Sequence, residues 1–328
     1  MYFLTDPLIN HIRYIFQNLE INGPETGDLF FATFGPGNML YFTDKPFERF
    51  SDYEKLLKLL QQDDTQKYKQ IHKGVPFYYL SWTSFDMGNY EKALFYMDAA
   101  ISEDIRKDPG GWLNNPAGSF LTLGPPNIQA AMRVASLLRQ LLESQLNRFN
   151  VISGRDPITA EDFVDKFVRI LVVDPTKRSI ITALYTFLLE FQDRCTDLTL
   201  RSDVGGSIEP FLTHLFKGGL IFESLLKHLY PNKDNGQPVK TLGDIFHTCQ
   251  FRANFLTNVQ TSSSSLQDIV KDIKATDLQT AFNTASRIRN TTGHNLVWID
   301  IFDDSKTYQI LFEQQMNAIL YIVSVKFP

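Results

Sequence analysis

One stretch near the end of the chain, LQTAFNTASRIRNTTGHN (residues 278–295), decides how the fold is interpreted. Its apolar side chains recur at helical spacing, which predicts an amphipathic helix with one buried face. That face consists of Leu278, Ala281, Phe282, Ala285 and Ile288. Arg289 falls on the same face, so its guanidinium needs a partner or a water-filled cleft there. Arg287 points the opposite way and is expected to be an ordinary solvated arginine.

The end of this stretch contains a histidine, His294, five residues after Arg289. In an unbroken helix, His294 would lie about 140° around the axis from Arg289, because each residue turns the helix by about 100°. Gly293 follows two threonines and is a plausible helix stop, since glycine adopts the left-handed capping conformation without steric penalty. We therefore predict that Gly293 ends the helix and lets His294 turn back towards Arg289.

The length and composition of the whole chain limit the classes of protein to which it can belong. The chain has 328 residues, 43% of them hydrophobic, which suffices for two domains with their own cores. Its formal net charge of −5 argues against a protein that coats nucleic acid through overall positive charge, although it permits a local basic cleft. Cys195 and Cys249 have no metal-ligand spacing, so neither a zinc site nor a disulfide framework is predicted.

No targeting or membrane segment is evident in the sequence. The first residues contain Asp6 and Pro7 and lack the positive region and apolar run of a secretory signal. No apolar segment approaches the roughly 18 residues needed to span a bilayer. The expectation is a cytoplasmic protein without a membrane partner.

The rest of the chain predicts an all-α protein of two parts, residues 1–150 and 151–328. Residues 151–157, with their Ser-Gly-Arg-Asp-Pro segment, are the predicted junction. Helices are also predicted over residues 8–19, 128–149, 175–198, 242–255 and 305–325. Two more helices have a predicted N-terminal cap: residues 51–71, capped by Ser51, and the helix that begins after Thr159 and ends at residue 173. Residues 108–126 are predicted to be a packed loop, residues 28–46 are unassigned, and residues 297–302 are the best strand candidate.

The N-terminal part contains a predicted helical hairpin over residues 76–87 and 89–106. Gly88 permits the tight turn, and Ala93 and Ala100 allow the two helices to approach closely. With Tyr90 after the turn, the hairpin resembles one tetratricopeptide repeat, which implies a sensing or protein-binding role. A helical hairpin unrelated to that family is the alternative.

The C-terminal part combines a leucine-rich helix over residues 208–230 with the Arg289–His294 motif ahead of a final apolar helix. Leu215, Gly219, Phe222, Leu226 and Leu229 form one line on that helix, a seam for packing. This arrangement resembles the HEPN superfamily, whose signature is an arginine, four to six residues and then a histidine, often with asparagine after the arginine. The resemblance covers roughly the last 150 to 175 residues and implies a HEPN-like helical bundle.

The resemblance implies a metal-independent endoribonuclease that uses no cofactor, with RNA as its substrate and Arg289, Asn290 and His294 as its catalytic residues. Histidine can take the proton from a ribose 2′-OH or give one to the leaving 5′-oxygen, and arginine can stabilise the phosphate as charge builds there. Products would carry 2′,3′-cyclic phosphates. The family also implies a homodimer through the C-terminal domain and a setting in defence or stress response.

Two alternatives stay open at this point. Arg289 could merely neutralise the carbonyl end of its helix, with residues 290–293 as a cap and His294 as a satisfied polar residue. The chain would then be a non-catalytic interaction module, with a HEPN-like domain that dimerises or holds a nucleotide. Leu296 replaces the tyrosine usual in the antitoxin-linked branch, so that branch is not indicated. Glu223 is expected to be solvated, and the other five histidines are expected to be structural.

Overall fold

The structure is a computed structural model, and it describes residues 6–21, 46–124, 129–200, 207–255, 258–262, 265–292 and 305–326. These residues are mostly helical and include no strand, which confirms the all-α prediction for the part of the chain they cover. The strand candidate at 297–302 and residues 28–45 lie outside the described residues. None of the described helices is long and apolar enough to cross a membrane.

The chain divides into two compact units, Met1–Leu137 and Leu138–Pro328. The division falls inside the long helix Gln129–Ile152, earlier than the predicted boundary at residues 150/151. Residues 151–157 lie within the second unit, where the Asn150 side chain closes a loop by accepting a hydrogen bond from the Ile158 N–H at 2.9 Å and donating to its carbonyl at 3.0 Å.

The first unit is built from helices α1 to α6. These are α1 (Asp6–Asn18), α2 (Pro46–Asp63), α3 (Thr65–Gln70), α4 (Gly74–Asp86), α5 (Tyr90–Lys107) and α6 (Pro116–Leu121), with a 3-10 turn at Trp112–Asn114. The hairpin of α4 and α5 agrees with its predicted bounds: Gly88 turns the chain at φ 69°, and the Asn89 side chain caps α5 by accepting from the Lys92 N–H at 3.0 Å. One core cluster joins α1, α2 and α4.

Two predictions for the first unit are wrong in detail. The helix predicted over residues 51–71 is two helices, because the Asp64 side chain accepts from the N–H groups of Gln66 and Lys67 and so starts α3 anew. Ser51 lies within α2 rather than at its cap. The predicted loop at residues 108–126 contains α6 and the 3-10 turn, although it is packed down as expected: Trp112 and Phe120 are buried.

Beyond α7 (Gln129–Ile152), the second unit continues with α8 (Ala160–Phe163), a π-helical turn at Val164–Val168 and α9 (Arg169–Val172). Thr159 caps this helix as predicted and forms a capping box with Asp162. The remaining helices are α10 (Pro175–Leu200), α11 (Glu209–Leu229), α12 (Leu242–Phe246), α13 (Cys249–Phe255), α14 (Leu266–Asp272), α15 (Leu278–Thr292) and α16 (Ser305–Lys326). The prediction of a single helix over residues 242–255 is therefore wrong. The Thr248 hydroxyl accepts a hydrogen bond from the Phe251 N–H, and α13 begins there as a separate helix.

Helix α11 lies at the centre of the second unit and packs against α10, α15 and α16. The predicted seam is buried at Leu215, Phe222 and Leu226. The predicted apolar face of α15 is buried too, at Ala281, Phe282, Ala285 and Ile288. Burial of these two faces against each other fixes α15, and with it Arg289, relative to α11.

Candidate functional site

Arg289 meets a buried carboxylate on α11. Its Nε donates to Oε2 of Glu223 at 2.5 Å. The Glu223 side chain is only 6% exposed, whereas the Arg289 side chain is 32% exposed. The sequence predicted that Arg289 needs a partner on this face, and Glu223 is that partner. A charged hydrogen bond from Nε fixes the plane of the guanidinium, while part of the group remains open to water.

Glu223 is not the solvated glutamate expected from the sequence. It is buried because α15 packs over the face of α11 on which it lies. Its second oxygen, Oε1, lies 2.7 Å from Nζ of Lys227, one helical turn further along α11. One buried carboxylate thus joins two partly exposed cations, and the three side chains together keep one net positive charge at neutral pH.

The close approach of α11 and α15 at this point depends on Gly219. A Cβ atom built there would lie 2.7 Å from Cβ and 2.9 Å from Cα of Arg289, closer than packed carbon atoms come. The absence of a side chain at Gly219 therefore lets the backbone of Arg289 rest directly on α11. Glu223 is four residues later on the same face of α11, within reach of the guanidinium.

Asn290 contacts both the backbone and Arg289. Its Nδ2 donates to the Thr261 carbonyl at 2.7 Å, and its Oδ1 accepts from an outer nitrogen of Arg289 at 3.3 Å. Gln279 and Asn283 on α15 also hold the segment 258–262 through Asn258 and Gln260. The described contacts of Asn290 are therefore supporting ones, and its predicted role toward phosphate or imidazole stays a prediction.

His294 and Gly293 lie outside the described residues. Helix α15 is described as far as Thr292. The predicted turn of His294 toward Arg289, and the role of Gly293 in it, therefore remain predictions. Of the three predicted catalytic residues, the structure brings Arg289 and Asn290 together at the end of α15.

Arg287 is not the solvated arginine that helical arithmetic predicted. Its side chain is 7% exposed, and NH1 donates to Oδ2 of Asp272 on α14 at 2.8 Å. The predicted direction of the Arg287 side chain is correct, since Arg287 and Arg289 lie on opposite faces of α15. The predicted exposure of Arg287 to solvent is wrong, because α14 and the segment 258–262 cover that face of α15.

Two other histidines are buried and paired, in line with their predicted structural roles. His214 lies between Phe187 and Tyr308: Nε2 donates to the Phe187 carbonyl at 2.7 Å, so Nδ1 accepts from the Tyr308 hydroxyl at 2.5 Å. Burial lowers the pKa of His214 to about 3. In the first unit, Nε2 of His72 lies 3.1 Å from Oδ1 of Asp104, beside a cavity of about 370 Å³.

Sequence reasoning missed the acidic partner of the site, although one signal was present. Glu223 and Lys227 are spaced i, i+4 with the acid first, the favourable order for a helical ion pair. That spacing predicts an ion pair along the helix, but it does not reveal that the carboxylate is buried. Its link to Arg289 joins residues far apart in the chain, which spacing alone does not reveal.

Comparison of the chain with known protein families, with curated proteins and with solved structures gives no significant match.

Proposed function

We propose that this protein is a metal-independent endoribonuclease, with Arg289 as the group that stabilises the reacting phosphate. The observation that carries the proposal is the anchoring of Arg289 to buried Glu223 through Nε at 2.5 Å while the side chain stays 32% exposed. An arginine held through Nε keeps its outer nitrogens on the opposite edge, where they can bind two phosphate oxygens at once.

The charge of the site favours a phosphodiester. Arg289 and Lys227 share the single carboxylate of Glu223, so the group attracts an anion despite the net charge of −5 on the whole chain. Because Glu223 is buried and already paired with both cations, it repels a phosphate at the surface only weakly. This local positive charge is what an RNA backbone requires for binding.

In the proposed reaction, His294 removes the proton from a ribose 2′-OH while water protonates the leaving 5′-oxygen, or His294 protonates that oxygen while water takes the 2′-OH proton. The 2′-oxygen forms a bond to phosphorus, the bond from phosphorus to the 5′-oxygen breaks, and a 2′,3′-cyclic phosphate results. Negative charge builds on the phosphate oxygens in the transition state, and the fixed guanidinium of Arg289 stabilises it there. Asn290 supports Arg289 through its Oδ1 contact.

Several wider expectations belong to the same proposal and rest on the HEPN resemblance. They are a homodimer formed through the C-terminal domain, a cytoplasmic role in defence or stress response, and a partner or activator bound by the tetratricopeptide-like hairpin. The described geometry of α4 and α5, with its tight turn at Gly88, is compatible with that last role.

The test is RNA cleavage by the purified full chain in EDTA, with mixed RNAs as substrate. Wild type should cleave and leave 2′,3′-cyclic ends, and both Arg289→Ala and His294→Ala should lose the activity. Arg169→Ala is the matched control, because Arg169 is half-exposed and paired only with Asp165 one turn away among the described contacts. Persistent cleavage by either site variant contradicts the assignment. An inactive wild type under all conditions favours a non-catalytic interaction module.

A further inference from the structure

A second polar site lies on the other face of α15. It is a cavity of about 220 Å³ bounded by α14, α15 and the segment 258–262. Ile269 is apolar, and the other described lining residues are Gln260, Asp272, Thr280, Asn283, Thr284 and Arg287. This volume is below the roughly 300–1,000 Å³ of pockets for drug-sized ligands, so the cavity suits a small polar group.

Four of the lining residues form a regular stripe on α15. Thr280, Asn283, Thr284 and Arg287 occupy positions i, i+3, i+4 and i+7, so they share one face. Thr284 is 2% exposed and Arg287 is 6% exposed. A buried polar stripe costs free energy unless its groups form hydrogen bonds, and an apolar stripe would serve packing better.

Arg287 is only partly satisfied in this cavity. NH1 donates to Asp272, but Nε is buried and has no hydrogen-bond partner among the residues that the structure describes. The Asp272 side chain is 62% exposed, so it holds the guanidinium from the solvent side. Nε itself is enclosed, so an acceptor in the cavity meets the guanidinium through the part of the Arg287 side chain that lines it, and an anionic acceptor is favoured there.

Neutral donors surround this guanidinium. Oδ1 of Asn283 accepts from the Gln260 N–H and from Nε2 of Gln279, each at 2.8 Å. Nδ2 of Asn283 has no acceptor among the contacts of the described residues, so its two hydrogens can serve a bound acceptor. Thr280 and Thr284 add hydroxyl groups, each able to donate one hydrogen bond. One arginine and several neutral donors match an anion with many acceptor oxygens.

We propose that this cavity binds a phosphate group, with Arg287 as the recognising cation and Asp272 as the partner that the phosphate displaces or weakens. Phosphate fits better than carboxylate because its additional oxygens engage the threonine and asparagine donors as well as the arginine. The site is separate from that of Arg289, which lies about 160° around α15. The proposed phosphate site therefore does not depend on whether the protein cleaves RNA.

The test is isothermal titration calorimetry of the full chain with inorganic phosphate, adenosine 5′-monophosphate and a short single-stranded RNA, in buffers of matched ionic strength. Arg287→Gln should weaken binding at least about tenfold, the value of one charged hydrogen bond. Asp272→Asn should strengthen binding, since it removes the competing carboxylate. Binding of the small phosphates identifies a monoester site, whereas RNA binding that Arg287→Gln weakens, without binding of the small phosphates, identifies a phosphodiester site.

Two further variants make the result decisive. Lys271→Gln removes the same charge from an exposed neighbour outside the cavity and should leave binding unchanged. Thr284→Val removes one donor at nearly constant volume and should weaken binding, which keeps the test informative if Arg287→Gln does not fold. The proposal is overturned if wild type binds none of the three ligands, or if a folded Arg287→Gln or Thr284→Val binds as tightly as wild type.

Discussion

Replacing Glu223 by glutamine should measurably destabilise the second unit. The substitution removes a buried negative charge that accepts from Arg289 at 2.5 Å and lies 2.7 Å from Nζ of Lys227. Glutamine keeps one acceptor oxygen but brings an NH2 group toward a cation. Breaking a fully buried ion pair costs about 3–5 kcal/mol.

The expected loss is smaller here because both cations reach water. Arg289 is 32% exposed and Lys227 is 38% exposed, so solvent replaces part of what Glu223 provides. We expect a decrease of about 2 kcal/mol in the free energy of unfolding. At a urea dependence of about 2–3 kcal/mol/M, the midpoint should fall by about 0.7–1 M.

Urea unfolding followed by far-UV circular dichroism measures this change. Glu209→Gln is the matched control, because Glu209 is an exposed acid on the same helix, and its effect should stay within about 0.5 kcal/mol. The reasoning is refuted if Glu223→Gln shifts the midpoint no more than Glu209→Gln does. A shift in slope without a shift in midpoint would also speak against it.

Three further changes have expected outcomes. Gly219→Ala should lower the temperature of the unfolding midpoint. The clash with the backbone of Arg289 costs about 1–3 kcal/mol, which outweighs a gain of about 1 kcal/mol in helix propensity. A variant that is more stable than wild type would contradict the close approach of the two helices. Burial holds the pKa of His214 at about 3, so between about pH 6.5 and pH 3 the unfolded state binds a proton that the folded state does not. Stability should fall as pH drops through that range, by up to about 1.4 kcal/mol per pH unit, and urea midpoints of His214→Gln should show a smaller slope. Asp64→Ala should cost about 1 kcal/mol through loss of the cap of α3, and an unchanged urea midpoint would contradict the capping role.

Periodicity in the sequence was enough to predict the helices that carry the site. The apolar faces of α11 and α15 are buried as expected, and the turn at Gly88 lies where glycine was needed. These features depend on residues a few positions apart. Helix breaks at Asp64 and Thr248 were missed because a side chain that caps locally interrupts an otherwise continuous amphipathic pattern.

The environments of charged residues could not be predicted from spacing. Arg287 is buried because α14 covers its face, and Glu223 is buried because α15 covers its own. Both outcomes depend on contacts between separate helices: α14 directly precedes α15 in the chain, whereas Glu223 and Arg289 lie 66 residues apart. Helical geometry correctly placed Arg287 and Arg289 on opposite faces of α15, but it did not reveal that other helices cover Arg287 and Glu223.

The most direct test of the central claim is a double-mutant cycle on the rate of RNA cleavage in EDTA, measured with protein in excess over RNA so that the residual rate of Arg289→Ala is quantified, with wild type, Glu223→Gln, Arg289→Ala and the double variant. If Glu223 acts by positioning Arg289, Glu223→Gln should slow cleavage in the wild-type background and cause no further loss when Arg289 is alanine. Wild-type rates in Arg289→Ala, or strictly additive losses from the two substitutions, would contradict the account.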